Sequence, residues 1–346
     1  MPPLVSVNLL LYRPGKYLRP CLESIFSQTY PNLEILVIDN NSADGTTELA
    51  AQILKSKRSD DFPSSRLIAN RENLGFAAGH NLGIKESRGE FVFLVNQDII
   101  LGEDFLEKAI KAFLCGEKIA AVQGKTRRLK VNGEQLEKTN IIDNTGLVIL
   151  KNRRIIARGQ GQKDDGQFDE AEEIFGVDGA LPVYRRTALE DVKIIFAGRE
   201  EYFDSSFLAY KEDVDLAWRL RLLGWRAIYE PRALAWHART AGESAATNYL
   251  GVIKERLKIN QFAKYLSFKN QRLMQLKNEQ LSVLLRHVIW WLPKEIASWV
   301  YVILFERYTW RAIRDLLAQA PAAWQKRKII MARKRTSGAR MAEWFK

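Results

Sequence analysis

Cysteine and histidine are scarce in this chain of 346 residues, which has two of the first and three of the second. Cys21 and Cys115 are too few for a disulfide framework and are expected to be buried thiols in a reducing compartment. Long apolar runs are missing as well. The most apolar stretches, Leu281 to Leu292 and Ile296 to Phe305, are separated by Pro293, Lys294 and Glu295. Neither has the roughly 20 residues that cross a bilayer, so an interfacial helix pair is expected instead of a span. Met1-Pro2-Pro3-Leu4-Val5-Ser6-Val7 has no basic leader, and its apolar run is too short for a signal peptide. Leu11-Tyr12-Arg13-Pro14-Gly15-Lys16 is poor in glycine, which argues against the Gly-rich basic loop that a nucleotidyltransferase carries after its first strand.

What the chain does have is apolar residue, 47% of the total, enough for one large core with a smaller appended region. Its net charge of +12 is uneven. Gly251 to Lys346 holds 20 Lys and Arg against 6 Asp and Glu, while the remainder holds 33 against 35. Such asymmetry suggests a polyanionic surface as partner, membrane or nucleic acid. Short apolar runs at 5–11, 33–38, 66–69 and 90–95 read as strands, and the spacing predicts helices over 17–28, over 46–56 and from about Ala77. Strands alternating with helices predict an α/β fold, a mostly parallel sheet covered on both faces. Ligands bind such sheets beyond the carboxyl ends of the strands, where Asp39 and Asp98 fall. A hairpin is expected at 146–157, a loop at 159–175, a helix over 212–223, and a strand from Trp225 to Tyr229 ended by Pro231.

Five constellations could carry chemistry. Asp39-Asn40-Asn41-Ser42-Ala43-Asp44-Gly45 offers an acid for a pyrimidine ring N–H, although the same residues suit a turn. Asn73-Leu74-Gly75-Phe76-Ala77-Ala78-Gly79-His80-Asn81 allows close backbone approach at a helix start that would favour phosphate, or simply begins a helix. Asn96-Gln97-Asp98 ends an apolar strand, and a carboxylate there could hold a divalent metal against a diphosphate. Glu212, Asp213 and Asp215 start a helix whose dipole they suit, and Asp215 can pair with Arg219. Asp213 shares the face of Leu216 and Leu220, and an inward carboxylate there is explained by a general base lining a pocket. His237 follows a strand and could be a satisfied core residue or a ligand beside Asp98.

Taken in order, these motifs resemble the bacterial family 2 glycosyltransferases, nearest to a rhamnosyltransferase-like branch. The resemblance also rests on Asp143-Asn144-Thr145-Gly146, Arg158-Gly159-Gln160-Gly161, Gly166-Gln167-Phe168-Asp169, Gly179-Ala180 with Arg185-Arg186, Phe207 to Arg219, and Gly224-Trp225. It runs from about Leu4 to Gly242, more than two thirds of the chain. It implies a GT-A fold, a nucleotide-sugar donor (dTDP-L-rhamnose on the branch likeness), Mg²⁺ or Mn²⁺, and inversion by single displacement. Asp39, Asn41, Asp44, Asn73, Gly75, Asn81, Asn96 and Gly179 would shape the donor site. Asp98 and His237 would hold the metal. Asp213 would take the acceptor proton, with Glu212 and Asp215 orienting the acceptor or the base. Many relatives carry Asp-x-Asp where this chain has Asn96-Gln97-Asp98, which puts the metal dependence in question.

The expected organisation is a transferase domain over 1–247 and a basic helical region over 248–346. The expected partners are a lipid-linked or glycan acceptor and an anionic membrane surface, without nucleic acid. The expected setting is cytoplasmic and peripheral, at the inner face of the cell membrane. The alternatives are a nucleotidyltransferase, or a membrane- or nucleic-acid-binding scaffold with a decayed transferase domain.

Overall fold

The computed structural model describes residues 1–57, 63–239, 245–246 and 248–346. The chain opens with β1 (Val5–Leu11), α1 (Leu18–Phe26), β2 (Leu33–Asp39), α2 (Thr46–Ser56), β3 (Ser64–Ala69), α3 (Gly75–Glu86) and β4 (Phe91–Asn96). These are the strands and helices that the apolar periodicity predicts. β3, β2, β1 and β4 lie side by side and parallel, with Leu11 opposite Asp39 and Leu10 opposite Asn96. The ends of β2 and β4 therefore open on one edge of the sheet.

Beyond β4 come β5 (Ile99–Leu101), α4 (Phe105–Ala112), β6 (Ile119–Asn132), β7 (Gln135–Asn144), the hairpin β8 (Leu147–Ile149) and β9 (Ile155–Ala157), and β10 (Glu172–Ile174). β11 (Val183–Arg185), α5 (Arg186–Val192), the hairpin β12 (Ile194–Phe196) and β13 (Arg199–Glu201), α6 (Glu212–Leu222) and β14 (Arg226–His237) follow. The sheet order is β10-β14-β6-β11-β4-β1-β2-β3, with β5 on β14 and β7 on β6. β11 runs antiparallel to both β4 and β6, so the sheet is parallel in its first half and mixed beyond it. This is the α/β arrangement of a GT-A fold.

Several local expectations change. β14 continues through Pro231, because the register shifts between Glu230 and Leu234 and the proline falls within that irregularity. The long β6–β7 hairpin has no apolar alternation at Lys125, Arg127 and Lys130, so periodicity alone does not reveal it. β10 lies within the stretch expected to be a loop. Cys21 is buried as expected, but Cys115 is exposed.

α7 (Tyr249–Lys258), α8 (Gln261–Asn278), α9 (Leu281–Arg286), α10 (Val288–Phe305), α11 (Trp310–Ala332) and α12 (Gly338–Ala342) form the helical C-terminal region. It shares a hydrophobic core with the sheet: Met274, Val283, Ile330 and Phe345 are buried in one cluster with Leu147, Trp218 and Leu223. Much of its positive charge is internal. Lys277, fully buried, meets Asp204 at 2.5 Å and Asp215 at 2.8 Å. Lys326 meets Glu201 at 2.6 Å and Asp204 at 2.7 Å, and Arg335 meets Asp191 at 2.7 Å. The basic helical region is thus partly paired with acids of the sheet domain. The expected helix break at Pro293–Glu295 lies instead at His287, and α10 runs through Pro293. Glu295 turns inward to Arg272 at 2.7 Å, so it does not interrupt the helix.

Candidate active site at the carboxyl ends of the strands

The loop after β2 folds on itself. Asp39 is buried, and its carboxylate accepts from the Ser42 N–H (3.3 Å), the Ser42 hydroxyl (2.5 Å) and the Thr47 hydroxyl. Asp44 accepts from the Thr46 N–H and hydroxyl at the start of α2, so it holds the turn. Asn41 is exposed with φ +61°. A residue outside the expected set, Asn40, joins this loop to the next. Its amide donates to Asn73 Oδ1 (2.9 Å) and the Gly75 carbonyl (3.2 Å) and accepts from the Leu74 N–H (3.1 Å).

The start of α3 either favours phosphate or simply begins a helix, and two of its N–H groups have protein partners: Gly75 N–H donates to Asn73 Oδ1, and Ala77 N–H donates to the Leu208 carbonyl at 3.1 Å. Asn81, expected in the donor pocket, is buried and structural. It accepts from the Tyr202 and Phe203 N–H groups and donates to the Phe203 carbonyl, fixing the 202–205 segment. Gly75 has φ +79°, and a Cβ there would lie 2.3 Å from Leu208 Cδ1 and 2.9 Å from the Leu208 carbonyl oxygen. Gly75→Ala should therefore lower stability by more than the roughly 1–2 kcal/mol of the left-handed backbone alone. A urea unfolding midpoint equal to wild type would contradict this close approach.

At the end of β4 and β14 sits an acid–imidazole row. Asp98 Oδ1 is 3.3 Å from His237 Nε2, and Asp143 Oδ2 is 2.9 Å from His237 Nδ1. Arg239 adds a contact to Asp143 at 3.2 Å. Burial opposes a charge on His237, but Asp98 and Asp143 outweigh it and raise its pKa to about 10. Burial opposes ionisation of Asp98 too, yet His237 holds it below its ordinary value. Among the described residues, no group of three His, Cys, Asp or Glu has the geometry of a complete metal cage. Asp98 and His237 do form an adjacent oxygen–nitrogen pair. Asp98 supplies the carboxylate oxygen that Mg²⁺ or Mn²⁺ prefers when phosphates and water complete the shell, and His237 a nitrogen that a transition-metal ion takes more readily than Mg²⁺.

Asn144 donates to Asp178, and the Asp178 carboxylate accepts from the Ala180 N–H at 3.0 Å. The Ala180 carbonyl accepts from the Asn96 N–H at 2.8 Å. Gly179 N–H donates to Asp213 Oδ2 at 3.2 Å. The segment Asp178-Gly179-Ala180 thus ties the end of β4 to the start of α6. Asp143, Asn144 and Asp178 belong to this row and were not among the expected site residues. Their signal was a carboxylate and an amide directly after apolar Ile141-Ile142, and an acid before Gly179.

The three acids of α6 differ. Asp215 was expected to orient the acceptor or the base. It is fully buried, paired with Arg219 at 3.0 Å and Lys277 at 2.8 Å, and accepts from Asn278 at 2.8 Å, so its oxygens are used inside the protein. Glu212 is buried, and burial together with the Asp213 charge pushes its pKa up. Asp213 is partly exposed. Burial raises its pKa as well, while Lys211 and the amides of Val214 and Gly179 pull the other way. The loop before α6 has positive φ at Leu208, Tyr210 and Lys211. Asn270 of α8 holds it, its side-chain amide donating to the carbonyls of Phe207 (2.9 Å), Ala209 (2.8 Å) and Tyr210 (2.9 Å). Sequence periodicity gave no hint of Asn270, because its partners lie about 60 residues away.

With this geometry in view, the chain can be set beside known proteins. The family described as glycosyl transferase family 2 matches residues 6–193. Poly-beta-1,6-N-acetyl-D-glucosamine synthase of Staphylococcus epidermidis is 28% identical over 232 residues, 67% of this chain and 49% of that protein. Its namesake from Staphylococcus aureus (strain COL) is 27% identical over 233 residues, again 67% and 49%. The chain spans about half the length of the curated relatives it matches. Solved structures share the fold, among them the following two. The mannosyltransferase PcManGT from Pyrobaculum calidifontis, in complex with GDP-Man and Mn²⁺, has a TM-score of 0.52 at 16% identity, covering 99% of this chain and 87% of that one. S. aureus TarS 1-349 in complex with UDP-GlcNAc has a TM-score of 0.53 at 17% identity, covering 95% and 90%. The matched region is more than half of the sequence and contains β1 to β4 and their ends, and the chain belongs to glycosyl transferase family 2.

Proposed function

We propose that this chain is an inverting glycosyltransferase that moves a sugar from a nucleotide-sugar donor to a lipid-linked or glycan acceptor in cell-surface glycan synthesis. One observation carries the reading. Of the three acids at the start of α6, Asp213 alone is accessible, and the Gly179 amide ties it to the strand-end acids. Asp213 is the proposed general base for the acceptor hydroxyl, and its burial supports a proton affinity suited to that task. Glu212 is proposed to stay beside it as a second acid that tunes its charge. Asp39, Asn41, Asn73, Gly75, Asn96 and Gly179 are the proposed donor-side residues, with Asn40 added as the link between their loops.

Asp98 and His237 would hold a divalent cation. When bound, it would supply charge neutralisation for the departing diphosphate. A cation bound there would compete with the proton that Asp98 favours on His237 Nε2.

The donor follows from two lines. The motif likeness favours dTDP-L-rhamnose, whereas relatives are named for N-acetylglucosamine polymers and fold neighbours were solved with UDP-GlcNAc or GDP-Man. A thermal-shift screen of dTDP-L-rhamnose, UDP-GlcNAc and GDP-Man, each with and without Mn²⁺, tests the reading. One donor should raise the melting temperature in a Mn²⁺-dependent way, with chelation or Asp98→Asn abolishing the shift. No shift with any donor would overturn the donor reading, and a shift unchanged by chelation would overturn the metal assignment. The proposed setting is the cytoplasmic face of the cell membrane.

A further inference from the structure

The outer surface of α9 and α10 is mostly apolar. Leu281 and Leu285 of α9 continue into Ile289, Ile296, Val300 and Ile303 of α10, each between 45% and 69% exposed. Phe305, at the end of α10, is 70% exposed. These positions recur at helical spacing, so they form one stripe and not scattered surface residues. The opposite stripe of α10 faces the protein. Trp291 Nε1 donates to Gln275 at 3.2 Å, Glu295 meets Arg272 at 2.7 Å, and the Trp299 ring packs edge-on to Phe268 at 5.1 Å. Val302 is buried below them.

The charges on this surface are one-sided. Between Leu281 and Trp310 the acids are Glu295 and Glu306. Both are buried and paired, Glu295 with Arg272 and Glu306 with Arg256. Arg286 and Arg307, near the two ends of α10, are exposed. Trp290 and Trp310 are half-exposed close by. The outward face is therefore apolar in the middle, cationic and aromatic at its margins, and without an acid.

We infer that α9, α10 and the start of α11 dock the chain on an anionic lipid bilayer, with α10 lying in the plane of the interface. Apolar side chains enter the acyl boundary while arginines and tryptophans sit at headgroup level. A second copy of the chain fits the face less well, because two such surfaces bring like charges together. A transmembrane course does not fit either. α10 is long and apolar enough to cross a bilayer, yet one side is fastened along its length to the polar helix α8. α8 also holds the loop before Asp213 through Asn270, so the docked membrane would stand one helix away from that loop. A lipid-anchored acceptor would then reach the site from the bilayer. That last step rests on the proposed role of Asp213, whereas the docking itself does not.

The test is flotation of the full chain with vesicles of phosphatidylcholine alone or with phosphatidylglycerol. The full chain should float at least tenfold more with the anionic vesicles. The triple variant Ile289→Ser, Ile296→Ser, Ile303→Ser should lose at least tenfold of that binding with its melting temperature unchanged. Arg286→Ala with Arg307→Ala, both on the surface, should cut binding to anionic vesicles severalfold. A full chain that stays at the bottom of the gradient, or variants that float like it, would overturn the inference. So would a lipid-free dimer that the triple variant dissociates. Donor hydrolysis without vesicles reads the Asp213 site separately, so failure of the docking and failure of the transferase reading are distinguishable.

Discussion

Asp213→Asn is expected to lower sugar transfer by about 10²- to 10⁴-fold, the range that a positioned general base supplies. Asn keeps the size of the side chain and can still accept from the Gly179 N–H through its carbonyl, so the local geometry survives. The proposed donor residues lie at the strand ends, so donor affinity should stay within about twofold of wild type, near the resolution of a mutational comparison. The loss therefore belongs in kcat, measured at saturating donor, with the donor Kd from calorimetry as control. Glu212→Gln should have a smaller effect, since Glu212 is the more buried of the two neighbouring acids. Asp215→Asn should act through stability, because it weakens contacts to Arg219 and Lys277. Full transfer by Asp213→Asn would remove the base assignment.

Lys277→Met is expected to destabilise the protein by about 3–5 kcal/mol, the loss seen when one partner of a buried ion pair is removed. The ammonium is fully buried and sits between Asp204 and Asp215. Methionine fills the space but leaves both carboxylates short of a partner. The pH dependence follows from Asp204. Burial opposes its ionisation, but Lys277 and Lys326 overcome it and hold its pKa far below the ordinary value. A depressed pKa contributes stability above the unfolded-state value, about 3.9, which is lost as pH falls below it. Wild type and Lys277→Met should thus differ in full near pH 7, and the gap should only begin to narrow below about pH 4. Urea unfolding at pH 7 and pH 3 reads this directly. Equal midpoints at pH 7 would mean that the C-terminal region does not brace the sheet domain.

The first half of the fold is legible because each strand there is a short apolar run followed by a turn and an amphipathic helix. α2 begins and ends where the spacing predicts. The second half is less legible. β6 and β7 carry cations whose partners, such as Asp164 for Lys125 and Arg127, are distant in sequence. β14 passes a proline through a bulge that only the neighbouring strand reveals. The site divides the same way. Asp98 and His237 lie at strand ends and Asp213 at the start of the expected helix, and the 178–180 segment links their surroundings. Asn81 and Asp215 carry the same kind of signal, yet their polar atoms are taken up by partners inside the protein. Asn40, Asp143, Asp178 and Asn270 matter through contacts that no local pattern encodes. The charge asymmetry of the C-terminus suggests a polyanionic partner, but Lys277 and Lys326 are buried in ion pairs, which composition cannot tell from a solvated patch.

The stereochemistry of the product tests the central claim most directly. A base that activates the acceptor hydroxyl for a single displacement delivers it to the face opposite the departing nucleotide. Proton NMR of the glycosidic product, read at early times against the donor's own anomeric coupling, should show the opposite anomeric configuration. A product that retains the donor's configuration would contradict Asp213 as the base of a direct displacement.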